Sequence, residues 1–193
     1  MTTDDSAADE TQPPTTMLRF ETPSAVYANM PHLPQMTQQR PMETENALNF
    51  LLRLRGSTTP EEAITFVSFA VLPKMAIWWG YECLRDAAHV LSAEDRAMME
   101  LVAIWTTYPD NENRYRAMKA ALYAPVRTPA IYLGLAVGWS SGQIAPNDPS
   151  PVPAHRAPRA INTAVLSCLA RVDLAQRQVR LARFINQATL LTR

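Results

Sequence analysis

Residues 59–72 read Thr-Pro-Glu-Glu-Ala-Ile-Thr-Phe-Val-Ser-Phe-Ala-Val-Leu, and this stretch decides the fold class. Threonine is a common N-cap residue, proline suits the first helical position, and a glutamate three residues after the cap completes a capping box. The apolar residues that follow are Ile64, Phe66, Val67 and Phe69. The stretch therefore predicts a capped helix that is kinked or ended by Pro73.

Similar start and stop signals recur along the rest of the chain. They predict a helix over 43–55 that stops at Gly56, a helix over 74–91, helices begun by Ser92, Asp110 and Thr128, and two C-terminal helices separated near Asp173. No run alternates apolar and polar residues over a length that predicts a strand. We therefore expect an all-α fold, either an irregular helical bundle or a paired-helix array of about seven helices.

The prolines and the polar residues divide the chain into segments. Residues 1–22 are rich in Thr, Asp, Ser and Pro, which predicts a disordered tail. Residues 23–42 contain Met-Pro-His-Leu-Pro and are expected to form an irregular lead-in. A single helical domain is predicted over 43–193, interrupted by a Pro-rich loop over 142–158.

Charge and hydropathy exclude several classes of function. The chain has 18 basic and 18 acidic residues, whereas a nucleic-acid-binding protein normally carries a basic excess. Its most apolar window, 63–79, is interrupted by Pro73 and Lys74, so we expect no membrane span. The N-terminus is acidic and polar and has no signal-peptide pattern, which predicts a cytoplasmic protein. Cys83 and Cys168 are expected to be buried free thiols.

The sequence contains no motif that predicts a catalytic or metal-binding site. Residues 138–142 match G-x-S-x-G, but a nucleophile elbow needs a strand before it and a helix after it. Here the motif runs into the Pro-rich loop, so a helix C-terminus is the better interpretation. The three histidines have no second metal ligand at i+3 or i+4. We expect no catalytic site, no metal site and no cofactor.

Two tryptophans are candidate binding residues. Projection of 74–91 on a helical wheel places Trp78 among the charged residues of one stripe, with Glu82 and Arg85 beside it. A tryptophan among charges is typical of an interaction hot spot, although an adjoining helix or loop could equally cover it. Trp139, beside the Ser/Gly turn, is the second candidate and has the same alternative.

Three arginines recur every third residue near the C-terminus: Arg177, Arg180 and Arg183. They form either a solvated charged face or a surface for an acidic protein partner.

The chain from about Ala63 onward resembles an uncharacterised proteobacterial helical family of similar length. The resemblance rests on Trp78-Trp79, on the Pro-Asp-Asn-Glu-Asn-Arg run at 109–114, and on Gly-Trp-Ser-Ser-Gly-Gln-Ile-Ala-Pro at 138–146, with the helix starting at Ala160. Members of that family lie near type VI secretion genes, which implies an accessory role. The resemblance supplies no catalytic residues.

We therefore expect a non-enzymatic protein–protein interaction module, an adaptor or accessory factor that fits a bacterial secretion system. Its partner would be another protein, and a homo-oligomer remains open. The alternative is a helical bundle that binds a small molecule or lipid, and an enzyme ranks third. An adaptor needs an exposed apolar patch, whereas a ligand-binding bundle needs a cavity on which a few polar groups converge.

Overall fold

Most helices of the chain begin where a side chain accepts a hydrogen bond from a free backbone amide of the first turn. The computed structural model describes residues 17–192 and is 64% helical. Cap side chains that accept such bonds are Thr22, Asn46, Ser92, Asp110, Thr128 and Asp173.

Within the described residues the α-helices are α1 (Pro23–Asn29), α2 (Ala47–Arg55), α3 (Glu62–Ala70), α4 (Pro73–Asp86), α5 (Ala93–Thr107), α6 (Asn111–Leu122), α7 (Pro129–Gly138), α8 (Arg156–Arg171) and α9 (Leu174–Ala188). Two short strands, β1 (Gln143–Ala145) and β2 (Asp148–Pro151), pair antiparallel between α7 and α8. Single 3₁₀ turns follow α4 and α9. The all-α prediction is confirmed, with nine α-helices in residues 17–192 in place of about seven.

Helix α7 forms the centre of the fold. It is apolar on nearly every side and packs against α4, α5, α6 and α8. Gly138 lets α6 approach α7 closely, since a Cβ built there would lie 2.6 Å from Cβ of Met118. Helix α3 is buried along its whole length between α8, α2 and α9. Helix α8 therefore covers both α3 and α7, and α9 packs against α3.

The predicted capping box at Thr59 is wrong. Helix α3 begins at Glu62, and Oγ1 of Thr59 is buried with no hydrogen-bond partner among the described residues. The carboxylate of Glu62 instead accepts bonds from the backbone amides of Gln38 at 3.0 Å and Gln39 at 2.9 Å. A distant part of the chain thus uses the carboxylate that local sequence assigned to a helix cap. Pro73 separates two helices and occupies the first turn of α4.

The irregular lead-in predicted for 23–42 is wrong for residues 23–29, which form α1. Val26, Met30 and Leu33 are buried in the same apolar core as the later helices. The predicted tail over 1–22 falls on residues 1–16, which lie outside the described residues, and on residues 17–22, which are joined to the main body. There the amide of Arg19 donates to the carbonyl of Ala70 at 2.8 Å. The burial of Val26, Met30 and Leu33 therefore outweighs the tendency of the nearby prolines to prevent regular structure.

The Pro-rich loop predicted over 142–158 contains regular structure at both ends. Strands β1 and β2 lie within it, and α8 already begins at Arg156. Strands of three and four residues are too short to show an alternating pattern, so no periodicity predicts them. The predicted helix starts at Ser92 and Thr128 and the predicted break near Asp173 are confirmed.

Candidate binding sites

The exposed side of α4 carries three residue types that dominate protein interfaces. Trp78, Tyr81 and Arg85 follow one another at spacings of three and four residues, so they lie along one face, which we call the α4 face. The side chain of Trp78 is 38% exposed. Its neighbour Trp79 is fully buried and donates its indole N–H to the carbonyl of Phe184 at 3.0 Å. The core thus anchors one tryptophan of the pair and leaves the other partly exposed to solvent.

The α4 face continues into a shallow groove beside α5. This groove has a volume of about 260 Å³, and its walls include Tyr81, Arg85, Arg96 and Ala103. Glu82, the third residue predicted here, is half-buried and accepts a hydrogen bond from the Arg85 guanidinium. The ion pair holds Arg85 along the helix, at the edge of the groove.

The three C-terminal arginines lie where they bind groups of this chain. Arg180 and Arg183 donate to the two carboxylate oxygens of Asp86, at 2.5 Å and 2.7 Å. Arg177 donates to the carbonyl of Ala170 at 3.0 Å. Burial raises the pKa of Asp86, but the hydrogen bonds from Arg183 and Arg180 outweigh burial and hold the pKa below its ordinary value. These arginines therefore tie α9 to the C-terminal ends of α4 and α8.

Trp139 lies at a different place, in a cleft between α7 and the start of α8, which we call the α7–α8 cleft. The cleft has a volume of about 470 Å³. Its walls include Tyr132 and Trp139 on one side and His155, Arg156, Arg159 and Thr163 on the other. The indole N–H of Trp139 donates to the carbonyl of Ile144 at 3.0 Å. The Arg156 guanidinium lies 5.2 Å from the centre of the indole ring.

A buried arginine holds the turn that carries Trp139. Nη1 of Arg114 donates to the carbonyls of Gly138 and Ser141, both at 2.8 Å, and so satisfies the end of α7. Gly142 follows with φ +74°, where a Cβ would lie 2.9 Å from Nη2 of Arg114. The hydroxyl of Ser140, the serine of the G-x-S-x-G match, donates back to the carbonyl of Val137 at 2.7 Å. A helix precedes this serine, so the geometry is that of a helix end.

Sequence reasoning missed two histidines at the same cleft. The rings of His32 and His155 stack with centroids 3.8 Å apart and planes at 33°. Burial, and then the charges of His32, Arg159 and Arg156, lower the pKa of His155. The two residues are far apart in sequence and follow no recognised spacing, so only the folded lead-in brings them together.

The described residues offer little for catalysis. Among residues 17–192, no group of three or more His, Cys, Asp or Glu side chains could hold a metal ion. Burial raises the pKa of Cys83 well above its ordinary value and that of Cys168 to about 12, so neither thiol forms a thiolate readily near neutral pH. Both cysteines are free and buried. Across that same part of the chain, none of the helices has the length and apolar character needed to cross a bilayer.

Fold and surfaces together define an all-helical protein with one exposed aromatic helix face and one basic, aromatic cleft. The chain belongs to a family of unknown function, DUF6931, whose model matches residues 50–192. No match was found among curated proteins or among solved structures.

Proposed function

We propose that the protein is a non-enzymatic interaction module that binds a partner protein through the α4 face. The single observation that carries the proposal is the partly exposed Trp78, with Tyr81 and Arg85 on the same side of the helix. Tryptophan, tyrosine and arginine are the residues most enriched at the energetic centres of protein interfaces. A groove of about 260 Å³ next to them gives a partner side chain somewhere to insert.

The rigidity of α4 supports this proposal. Its opposite face carries Trp79, Cys83 and Leu84, all fully buried, and Asp86 at its end is held by Arg180 and Arg183. A helix fixed in this way presents its exposed residues with little loss of conformational freedom on binding. The α4 face therefore has the preorganisation that an adaptor surface requires.

We further propose that the partner is a component of a type VI secretion apparatus and that the protein acts in the cytoplasm. The secretion role rests on the resemblance described from the sequence, and the cytoplasmic location stays a prediction. The crosslinking experiment below tests the secretion role through the identity of the captured protein.

A photo-crosslinking amino acid placed at position 78, in the source cell, tests the binding surface. The matched control carries the same group at Tyr123, which is 77% exposed and is the C-cap residue of α6, a helix that packs against α5 and α7. We expect one protein to be captured at position 78 and not at position 123, and its capture to be lost when Arg85 is replaced by alanine. Capture of the same proteins at both positions would contradict the proposal, and capture of the chain itself would indicate a homo-oligomer.

A further inference from the structure

The α7–α8 cleft contains a concentration of positive charge for which the described chain supplies no counter-charge. Every ion pair formed within residues 17–192 lies elsewhere, on Arg53, Arg85, Arg171, Arg180 and Arg183. Arg156 and Arg159 are one turn apart on the same helix face, and no carboxylate is among the residues that line the cleft. Like charges at this spacing repel each other, so this arrangement costs free energy unless an anion lies between them.

The start of α8 adds to the same field. Its N-cap residue, His155, makes no side-chain capping bond, and no acidic residue lies in the first turn. Most other helices here use an Asp, Asn, Ser or Thr side chain at this position. Because His155 and Arg156 line the cleft, the positive end of the helix dipole lies at its wall, beside the two guanidinium groups.

The other wall of the cleft is aromatic and fixed in place. Trp139 is held by its bond to Ile144 and by the Arg114 anchor, and Tyr132 lies about two turns earlier on α7. Because the Arg156 guanidinium already lies over the indole, a planar group entering the cleft would meet both an aromatic ring and a charge. A volume of about 470 Å³ falls within the range of cavities that hold small organic ligands.

We propose that this cleft binds a small phosphorylated molecule that carries a planar ring. The phosphate lies between Arg156 and Arg159 at the start of α8. The ring packs against Trp139 and Tyr132. Two guanidinium groups and a helix N-terminus match the double negative charge of a phosphate better than the single charge of a carboxylate. This site is separate from the α4 face and does not depend on it.

Isothermal titration calorimetry on the full chain tests the site with the four common nucleoside monophosphates. Adenosine and inorganic phosphate serve as probes that carry only the ring or only the anion. We expect at least one nucleoside monophosphate to bind saturably, and both partial probes to bind at least about tenfold more weakly, since each keeps one set of contacts. Arg156→Gln and Arg159→Gln should each weaken that binding by about tenfold or more.

The controls separate a loss of ligand contact from a loss of charge or of fold. Arg116→Gln removes the same charge from an exposed position on α6 and should leave the affinity unchanged. Trp78→Ala should leave it unchanged as well. Far-UV circular dichroism confirms that each variant is folded, and Arg159→Gln should be benign because Arg159 is exposed. No saturable binding of any nucleoside monophosphate at millimolar concentration would overturn the proposal. So would equal affinity for inorganic phosphate, or equal losses in Arg116→Gln and Arg159→Gln.

Discussion

Replacing Asp95 by asparagine should show how much one carboxylate contributes to the stability of the fold. Asp95 is fully buried, and it accepts hydrogen bonds from the amides of Ser92 at 3.1 Å and Ala130 at 3.2 Å. Its Oδ2 also lies 3.1 Å from Nη1 of Arg171. The same group thus completes the first turn of α5, bonds the first turn of α7 and pairs with the last turn of α8.

The expected loss in the free energy of unfolding follows from the hydrogen bonds that an asparagine side chain can still form. Its single carbonyl oxygen retains one of the two amide bonds, while its NH₂ group turns a donor toward the other. A lost hydrogen bond to a charged acceptor costs about 1.5–3 kcal/mol. The pair with Arg171 adds no more than about 1 kcal/mol because the arginine side chain is 39% exposed. We therefore expect Asp95→Asn to lower the free energy of unfolding by roughly 2–4 kcal/mol.

Urea unfolding followed by circular dichroism measures this loss. The matched control is Asp173→Asn, an exposed N-cap of α9 that asparagine replaces well, for which we expect a change of about 0.5 kcal/mol or less. Equal losses in the two variants at neutral pH would refute the role assigned to Asp95.

The pH dependence gives a second check on the same carboxylate. Burial raises the pKa of Asp95, but bonds from Thr128, Ser92 and Ala130 and the charge of Arg171 outweigh burial and hold the pKa below its ordinary value of 3.8. A depressed carboxylate pKa means that the stabilisation is complete above the unfolded pKa and is lost as the pH falls through the folded pKa. The difference between wild type and Asp95→Asn should therefore shrink in acid.

Three further changes test other parts of the fold. Glu62→Gln should cost about 1–3 kcal/mol and speed hydrogen exchange at the Gln38 amide, since it weakens the bond that holds the lead-in. Gly138→Ala should cost about 1–3 kcal/mol in thermal or urea unfolding, because the new Cβ would overlap Met118. Stability should fall as the pH drops below about 6.5, the ordinary pKa of histidine, because the native state binds a proton at His155 less readily than the unfolded chain does.

Each of these changes has a neighbour for comparison. Glu61→Gln, exposed and beside Glu62, should be nearly neutral. Gly56→Ala places its Cβ 3.8 Å from the nearest atoms, so a loss as large as that of Gly138→Ala would contradict the packing argument. His155→Asn should flatten the pH dependence of stability, and an unchanged slope would show that another group titrates.

How far the sequence predicts this molecule depends on the range of the interactions involved. Ser92 forms a capping box with Asp95, and the hydroxyl of Thr128 accepts from the amide of Ile131; each partner is three residues away, so local spacing was enough. Glu62 stands at the same spacing from Thr59, but its carboxylate accepts hydrogen bonds from the backbone amides of residues 38 and 39, and no local pattern predicts this. Helix starts can therefore be predicted where the capping partner is local, and they are mispredicted where a distant segment binds the capping side chain.

The candidate sites also depend on contacts between segments that are distant in the sequence. The helical wheel placed Trp78 among charged residues but left its exposure open, because a wheel describes one helix and not the elements packed around it; the fold leaves the side chain 38% exposed. The free positive charge of Arg156 and Arg159 could not be predicted, since it depends on which of the other arginines find carboxylates in the fold. Arg180 and Arg183, the more conspicuous run in the sequence, are the ones neutralised within the chain.

The residues before position 50, where the family match begins, determine how far this protein can be truncated. The match begins at residue 50, yet Val26, Met30 and Leu33 are each at most 4% exposed and belong to the core shared with α2 and α3. At about 1.5–3 kcal/mol for each large side chain, cutting at residue 50 would remove roughly 5–9 kcal/mol of burial from a fold whose typical stability is about 5–15 kcal/mol. The part of the chain that the family model matches is therefore smaller than the unit that folds here, and a stable fragment has to include α1 and the residues up to Leu33.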